Sequence, residues 1–417
     1  MIIGREEEIS SLNELYDSGS AEFVAIYGRR RVGKTYLVDE VFENRITFRH
    51  SGLSPIENPN IRKSKRSSPM KEHLANFHRS LVTQGLTDCK CPASCLEAFY
   101  LLEDLLALKE KESTRILIFI DEIQWLDTSK SGFITGLEAF WNGWACHHKK
   151  VMLIVCGSST SWILDKLVNN HGGLYDRVTY TINLVPFTLD ECERFFESKG
   201  ISMSRYDIAQ CYMMLGGIPY YLKYFNRKLS LPQNIDSIFF KPNAALKDEY
   251  DRLFSSLFTN PEMMKSIIKA LSTKNRGLTR KEIISLTGIP DSGDLSNYLK
   301  ALISGTFIIK YTSFGNSKRE EFYKLADPFC IFWLKFVNNA GGKRISWINL
   351  MDTSPVTAWK GFSFENVCWN HIDQIKAAMG ISGVTTSESL WSKRGDDSDG
   401  TLIDLVIERK DNILNMC

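Results

Sequence analysis

The residues most suited to chemistry stand close to the amino terminus, in "IYGRRRVGKT" at 26–35. Gly28, four intervening residues Arg29, Arg30, Arg31 and Val32, then Gly33, Lys34 and Thr35 satisfy the spacing G-x-x-x-x-G-K-[ST]. Each type has a reason. Glycines allow backbone conformations that turn several N–H groups toward one anion, and the start of the following helix adds partial positive charge. A lysine at position 34 reaches the β and γ phosphates of a nucleotide, and the Thr35 hydroxyl ligates Mg²⁺. The three arginines could add counter-charge, although contact with solvent accounts for them more economically.

A hydrolytic site also needs a carboxylate at the metal and a base beside the attacking water. "ILIFIDEIQWLD" offers both, because Asp121 and Glu122 close an apolar run in which an acidic pair is costly without a cation. Asp121 is the expected metal carboxylate and Glu122 the expected base. The plainer alternative is two acids that merely end a strand.

These side chains need a scaffold that brings distant segments together. "FVAIYG" before the glycine loop, "RILIFID" and "VMLIVCGSS" are continuous apolar runs of the kind a parallel sheet buries on both faces. After the loop, Tyr36, Leu37, Val41 and Phe42 recur at helical spacing. The first two-fifths of the chain therefore reads as α/β. With 417 residues and 43% hydrophobic content, two to four globular units are expected. Lys plus Arg number 51 against 49 Asp plus Glu, so the net charge of +2 excludes a strong global pull toward nucleic acid or acidic partners. The acidic start "MIIGREEEIS" lacks the pattern of a secretory signal, and no apolar run is long enough to span a bilayer, which predicts a cytoplasmic chain with no membrane role.

Ten cysteines are scattered, several in apolar runs, as suits reduced thiols. Only Cys89, Cys91 and Cys95, with Cys146, His147 or His148, suggest zinc; without paired C-x-x-C spacing a plain loop is preferred. The stretch "SPIENPNIRKSKRSSPMKEH", with Arg62, Lys63, Lys65 and Arg66, reads as a mobile loop, its basic cluster a solvated charge run with nucleic-acid contact as the alternative.

Together, "IIGREEEI", "GRRRVGKT", "FIDEIQWLD", "LIVCGSSTSWI", "GGLYDRVTYTINLVPFT" and "LGGIPYYLKYF" resemble the archaeal-type family of P-loop ATPases, related to the AAA and STAND groups. The resemblance implies ATP as cofactor with Mg²⁺. It carries over Ile2, Ile3, Gly4 and Arg5 as walls of the adenine pocket, and Ser158, or else Ser159, as a polar sensor of the γ-phosphate. By the same resemblance Arg177 reaches a phosphate in cis or from a neighbouring subunit, a structural salt bridge being the equal alternative. Gly216, Gly217, Ile218 and Pro219 resemble a lid motif closing on the base, unless they simply end one helix and begin another.

The expected fold class is thus an α/β P-loop parallel sheet with a helical lid, followed by a winged helix-turn-helix and a truncated α/β nuclease-like tail. The expected divisions are 1–185 for the ATPase core, 186–245 for the lid, 246–330 for the winged helix and 331–417 for the tail. In 261–325, three helical patterns precede two strand-like runs about a Gly-Asn turn. Ser296, Asn297 and Lys300 would face duplex DNA from the recognition helix, with Lys310, Lys318 and Arg319 at the wing; docking of a partner protein is the competing role. Glu365 and Asp404 look like two of the acids of PD-(D/E)xK nucleases, whose acid-x-lysine pair would fall beyond Cys417. Cleavage is therefore not expected, and a loosely ordered tail is, unless its last strand lies at an edge. Two functions stay open: an ATP-driven switch, and a nucleotide-stabilised binding module without turnover.

Overall fold

The three apolar runs form neighbouring strands of one parallel sheet in the computed structural model, which describes residues 2–417 except 55–68, 112–113, 259, 316–320, 339–345 and 394–400. The chain divides into two compact units, Met1–Val185 and Pro186–Cys417.

In the first unit, the described strands are β1 (Glu22–Tyr27), β2 (Ile46–Ser51), β3 (Ile116–Asp121), β4 (Val151–Gly157) and β5 (Tyr180–Asn183), in the order β2-β3-β4-β1-β5. Every pairing between them is parallel. Alternation puts Phe23, Ala25, Ile118, Ile120, Leu153 and Val155 in a core with the helices Pro69–Thr83, Cys95–Glu110 and Phe133–Gly143. The intervening Val24, Ile26, Leu117, Phe119, Ile154 and Cys156 are equally inaccessible, so both faces of the sheet are covered. This is why the three strands read as unbroken apolar runs.

The helix after the glycine loop is Lys34–Phe42. It buries Leu37, Val38 and Phe42, whereas Tyr36, expected on the apolar face, is half exposed. Tyr36 stands two residues from Val38, roughly 200° around the helix from the i, i+4 line of Val38 and Phe42, and so falls on the opposite side. The basic cluster at 62–66 lies outside the described residues.

The second unit begins with helices Leu189–Ser198, Arg205–Leu215 and the short turn Pro219–Leu222. Thr188 and Glu191 form a reciprocal capping box at the first of these, and Thr279 with Glu282 do the same for the helix Arg280–Thr287. Three helices, Pro261–Leu271, Arg280–Thr287 and Gly293–Ser304, alternate with or precede β6 (Leu278–Thr279), β7 (Ile308–Ser313) and β8 (Glu321–Leu325). β8 pairs antiparallel with both β6 and β7. The sheet then continues through β9 (Thr386–Lys393), β10 (Thr401–Arg409) and β11 (Leu414–Met416), in the order β11-β10-β9-β7-β8-β6.

The tail departs from the expectation of loose order. β10 is paired on both sides, by β9 and β11, and the Cys417 N–H donates to Leu405 O at 2.9 Å. The reason is the edge position of β11, which lets a short strand close one side of the ladder while its other side faces outward.

All ten cysteines are free thiols. Cys91 is exposed and Cys95 buried at the start of its helix, and among the described residues no group of three His, Cys, Asp or Glu could hold a metal ion. No helix of the described residues is long and apolar enough to cross a membrane.

Candidate functional site

Parallel strands deliver the loops at their carboxyl ends to one edge of the sheet, and the predicted chemistry sits there. β1 ends at Tyr27 beside Gly157 of β4, and β3 runs alongside β4. The loop 28–33, the acids 121–122 and Ser158 therefore meet although about 130 residues separate the first from the last.

Gly28 has φ of 138°, and a Cβ there would fall 2.2 Å from the Leu184 carbonyl oxygen. No side chain fits, because the loop leaves the sheet directly against the segment after β5; the Leu184 N–H donates to Tyr27 O at 2.7 Å. Arg31 is left-handed at φ 74°, and Gly33 caps the helix at φ 99°. The loop thus holds a strained main-chain shape around Lys34.

Lys34 is buried, and its ammonium donates to the carbonyls of Gly28 at 2.9 Å and Arg29 at 3.0 Å. Burial pushes its pKa down, while Glu122 and Asp121 hold it up. Thr35 Oγ1 donates to Asp121 Oδ2 at 2.8 Å, and Asp121 Oδ1 accepts the Glu122 N–H at 2.9 Å. Burial raises the Asp121 carboxyl above its ordinary range, with Glu122 adding to the rise and the Thr35 hydrogen bond opposing it. An arriving cation would reverse that balance.

Glu122 is left-handed at φ 47°, which turns its side chain out of the strand direction. Its Oε2 accepts from Ser158 Oγ at 2.7 Å, Ser158 N at 3.3 Å and Gln124 Nε2 at 2.6 Å. Gln124 Nε2 also lies 3.2 Å from Ser158 Oγ, which closes a three-residue ring. Gln124 was not singled out from the sequence; its only signal was its place two residues after Glu122.

The remaining predicted residues divide. Gly4 is buried, Ile2 and Ile3 are partly buried, and Arg5 is buried with Nη2 donating to Val185 O at 2.5 Å and Nη1 3.6 Å from Glu8. The "GRE" box and the glycine loop thus both rest on the segment 184–185. Val32 is buried in the loop. Arg177 is not brought to the loop residues by any hydrogen bond; it is exposed in a turn and forms no side-chain pair among the described residues. Pro219 belongs to the second unit, at the first position of the turn Pro219–Leu222, after Gly216 caps the helix Arg205–Leu215. Ser159 precedes a short helix and makes no side-chain cap.

A glycine loop between a buried strand and a helix, with Thr35 bonded to an acid that ends a neighbouring strand, defines a P-loop ATPase. The chain belongs to the family described as "ATPase domain predominantly from Archaea", whose profile matches residues 2–225. An uncharacterized protein of Methanocaldococcus jannaschii is 28% identical over 411 residues, covering 96% of this chain and 83% of that one. An uncharacterized ATP-binding protein of the same organism is 40% identical over 45 residues, 11% of this chain and 76% of its own. The Walker-type ATPase of Pyrococcus abyssi has a similar fold, with a TM-score of 0.56 at 18% identity over 80% of this chain and 96% of that one. The ORC2 protein of Aeropyrum pernix, solved in ADPNP and ADP complexes, gives a TM-score of 0.50 at 13% identity over 82% and 95%.

Proposed function

We propose that the chain is a magnesium-dependent ATPase that works as a nucleotide-driven switch. The observation that carries this reading is the pair of linked hydrogen bonds, Thr35 to Asp121 and Ser158 to Glu122, which ties the ends of β1, β3 and β4 to one point.

The donors fit a triphosphate and a hard cation. Thr35 and Asp121 supply oxygen ligands only, the preference of Mg²⁺. The ammonium of Lys34 rests on main-chain carbonyls that a phosphate would replace, and Gly33 has no atom within 4 Å of where a Cβ would be. Bound magnesium would neutralise phosphate charge. Lys34 and the loop amides from Arg31 to Thr35 hold the phosphates, Ile3, Gly4 and Arg5 shape the base pocket, and Pro219 marks the lid. Glu122 takes the proton from the attacking water, and Ser158 senses the γ-phosphate. The exposed Arg177 is kept as a phosphate contact supplied in cis or by a neighbouring subunit.

Switching follows because contacts to a γ-phosphate exist before cleavage and not after, so the two states differ in energy. Its output is assigned to the second unit. Residues 186–245 are read as the lid and 246–330 as a winged helix, supported by three helices and the antiparallel trio β6-β8-β7. Ser296, Asn297 and Lys300 are exposed on the helix Gly293–Ser304, as DNA contact needs. Lys310 is paired with Glu321 at 2.7 Å, and Lys318 and Arg319 lie outside the described residues. Residues 331–417 are read as the nuclease-like tail. There Glu365 lies 3.5 Å from Lys324, which supports a structural rather than a cleaving role for the acid.

The test is steady-state phosphate release with calorimetry of ATP binding, with and without duplex DNA. Lys34→Ala is expected to abolish binding. Glu122→Gln is expected to keep binding and to lower turnover by about a thousandfold. Equal turnover by the wild type and Glu122→Gln would remove the base assignment, and a DNA affinity that does not fall with salt would remove the duplex.

A further inference from the structure

The second unit contains a cavity of about 310 Å³, ten times the liquid volume of one water and within the range of small-ligand sites. One wall is the helix Ser354–Asn370, which presents Trp359, Ser363 and Asn366 at spacings of four and three, a single helical face. All three residues are buried, at 1%, 3% and 5% exposure. Yet Trp359 Nε1, Ser363 Oγ and Asn366 Oδ1 find no hydrogen-bond partner among the described residues. Buried polar atoms are normally satisfied, and three lapses on one helical face beside an open space point to something that belongs in that space.

Charge indicates what it is. Three lysines, Lys274, Lys324 and Lys335, line the cavity, and no carboxylate does. Lys274 and Lys324 each have an acidic partner, Glu282 at 2.8 Å and Glu365 at 3.5 Å, but both acids lie outside the lining. Burial holds the pKa of Lys324 and of Lys335 down, so a negative charge placed in the cavity would favour the protonated form of each. The remaining walls are apolar, with Leu325, Ile331, Leu334 and Phe362.

We propose that this cavity binds a small organic anion, with its acidic group drawn to the lysines, its polar atoms satisfying Trp359, Ser363 and Asn366, and an apolar body against the aliphatic wall. The site is separate from the phosphate loop and does not depend on the ATPase reading. Water alone is the competing occupant, because waters could pair the same atoms.

Phenyl phosphate and benzoate are suitable probes, since they carry the two common acidic groups on one apolar ring. Titration by calorimetry is done on the full chain carrying Lys34→Ala, which removes the phosphate loop as a competing anion site. One equivalent of phenyl phosphate or benzoate is expected to bind, and the better of the two identifies the acidic group. Ser363→Phe, which fills the cavity, is expected to weaken binding by more than about tenfold, and Lys335→Met, on an exposed side chain, by about fivefold. Circular dichroism checks the fold of both; if Ser363→Phe does not fold, Lys335→Met decides. No saturable binding of either probe, or binding that both variants leave unchanged, overturns the proposal.

Discussion

The two sheets handle charge in opposite ways. In the parallel sheet the polar groups stand at the strand ends, where Asp121 and Glu122 follow five buried residues and are met by Thr35, Gln124 and Ser158 from neighbouring loops. In the mixed sheet a charge sits within the fold: Lys324, on β8, has a side chain 3% exposed and is paired with Glu365 from the helix Ser354–Asn370. Asp404 on β10 adds its field to both, opposing the ionised form of Glu365 and favouring that of Lys324. The first arrangement leaves its carboxylates open to an incoming cation. The second carries its own cation, and this difference separates a site built to bind from one built to hold.

That contrast is broken most severely by removing the internal cation. Lys324→Ala leaves Glu365 and Asp404 facing each other without compensation, and the expected loss is about 3 kcal/mol in chemical denaturation. The double variant Lys324→Met with Glu365→Gln is expected to recover most of it, since an apolar replacement of a whole buried pair is often neutral. A single variant as stable as the wild type would show that the pair holds nothing.

The parallel unit also buries a titrating group on its strand β2. His50 on β2 is 2% exposed, its Nδ1 lies 2.9 Å from Ser80 Oγ, and burial, with the neighbouring His73, lowers its pKa to about 3. The folded state therefore binds fewer protons than the unfolded chain between the unfolded histidine value and pH 3. Stability is fully present above about pH 6.5 and falls as the pH drops from there toward 3, by about 2 kcal/mol at pH 5. His50→Gln is expected to flatten that part of the stability curve. An unchanged slope between pH 7 and 5 would place the acid sensitivity elsewhere.

How much of this could be read beforehand follows from the kind of signal each region emits. Loop 28–35, Asp121 and Glu122 were legible because a phosphate cradle fixes residue types at short spacing, and because strands buried on both faces betray themselves as apolar runs. The antiparallel strands Ile308–Ser313 and Glu321–Leu325 were legible as two strand-like runs. The grip on Glu122 was not, since Gln124 and Ser158 meet only through the pairing of β3 with β4. Nor was Lys324 with Glu365, 41 residues apart, or the unpaired face of Trp359, Ser363 and Asn366, which as a sequence is an ordinary helical stripe. The resemblance names Arg5 for the base pocket, and that its guanidinium donates to the Val185 carbonyl was not legible; a motif names residues without saying which atoms they contact. The order of the tail depended on edge placement, which a strand pattern does not encode.

The smallest expected effect bears on whether the ring at the strand ends positions or merely decorates. Glu122 Oε2 receives two side-chain donors, and its left-handed backbone leaves few other ways to aim the carboxylate. Gln124→Leu keeps the volume and deletes the amide, so Glu122 retains Ser158 and loses the 2.6 Å contact that fixes its second direction. Displacement of a base by a fraction of an ångström lowers the rate without touching nucleotide affinity, so kcat is expected to fall about tenfold with KM for ATP unchanged. Gln124→Glu, which sets a like charge beside Glu122, should fall further. A rise in kcat for Gln124→Leu would reverse the assignment and make the ring a brake on Glu122, while equal losses in kcat and affinity would mark Gln124 as a structural support of the whole loop edge.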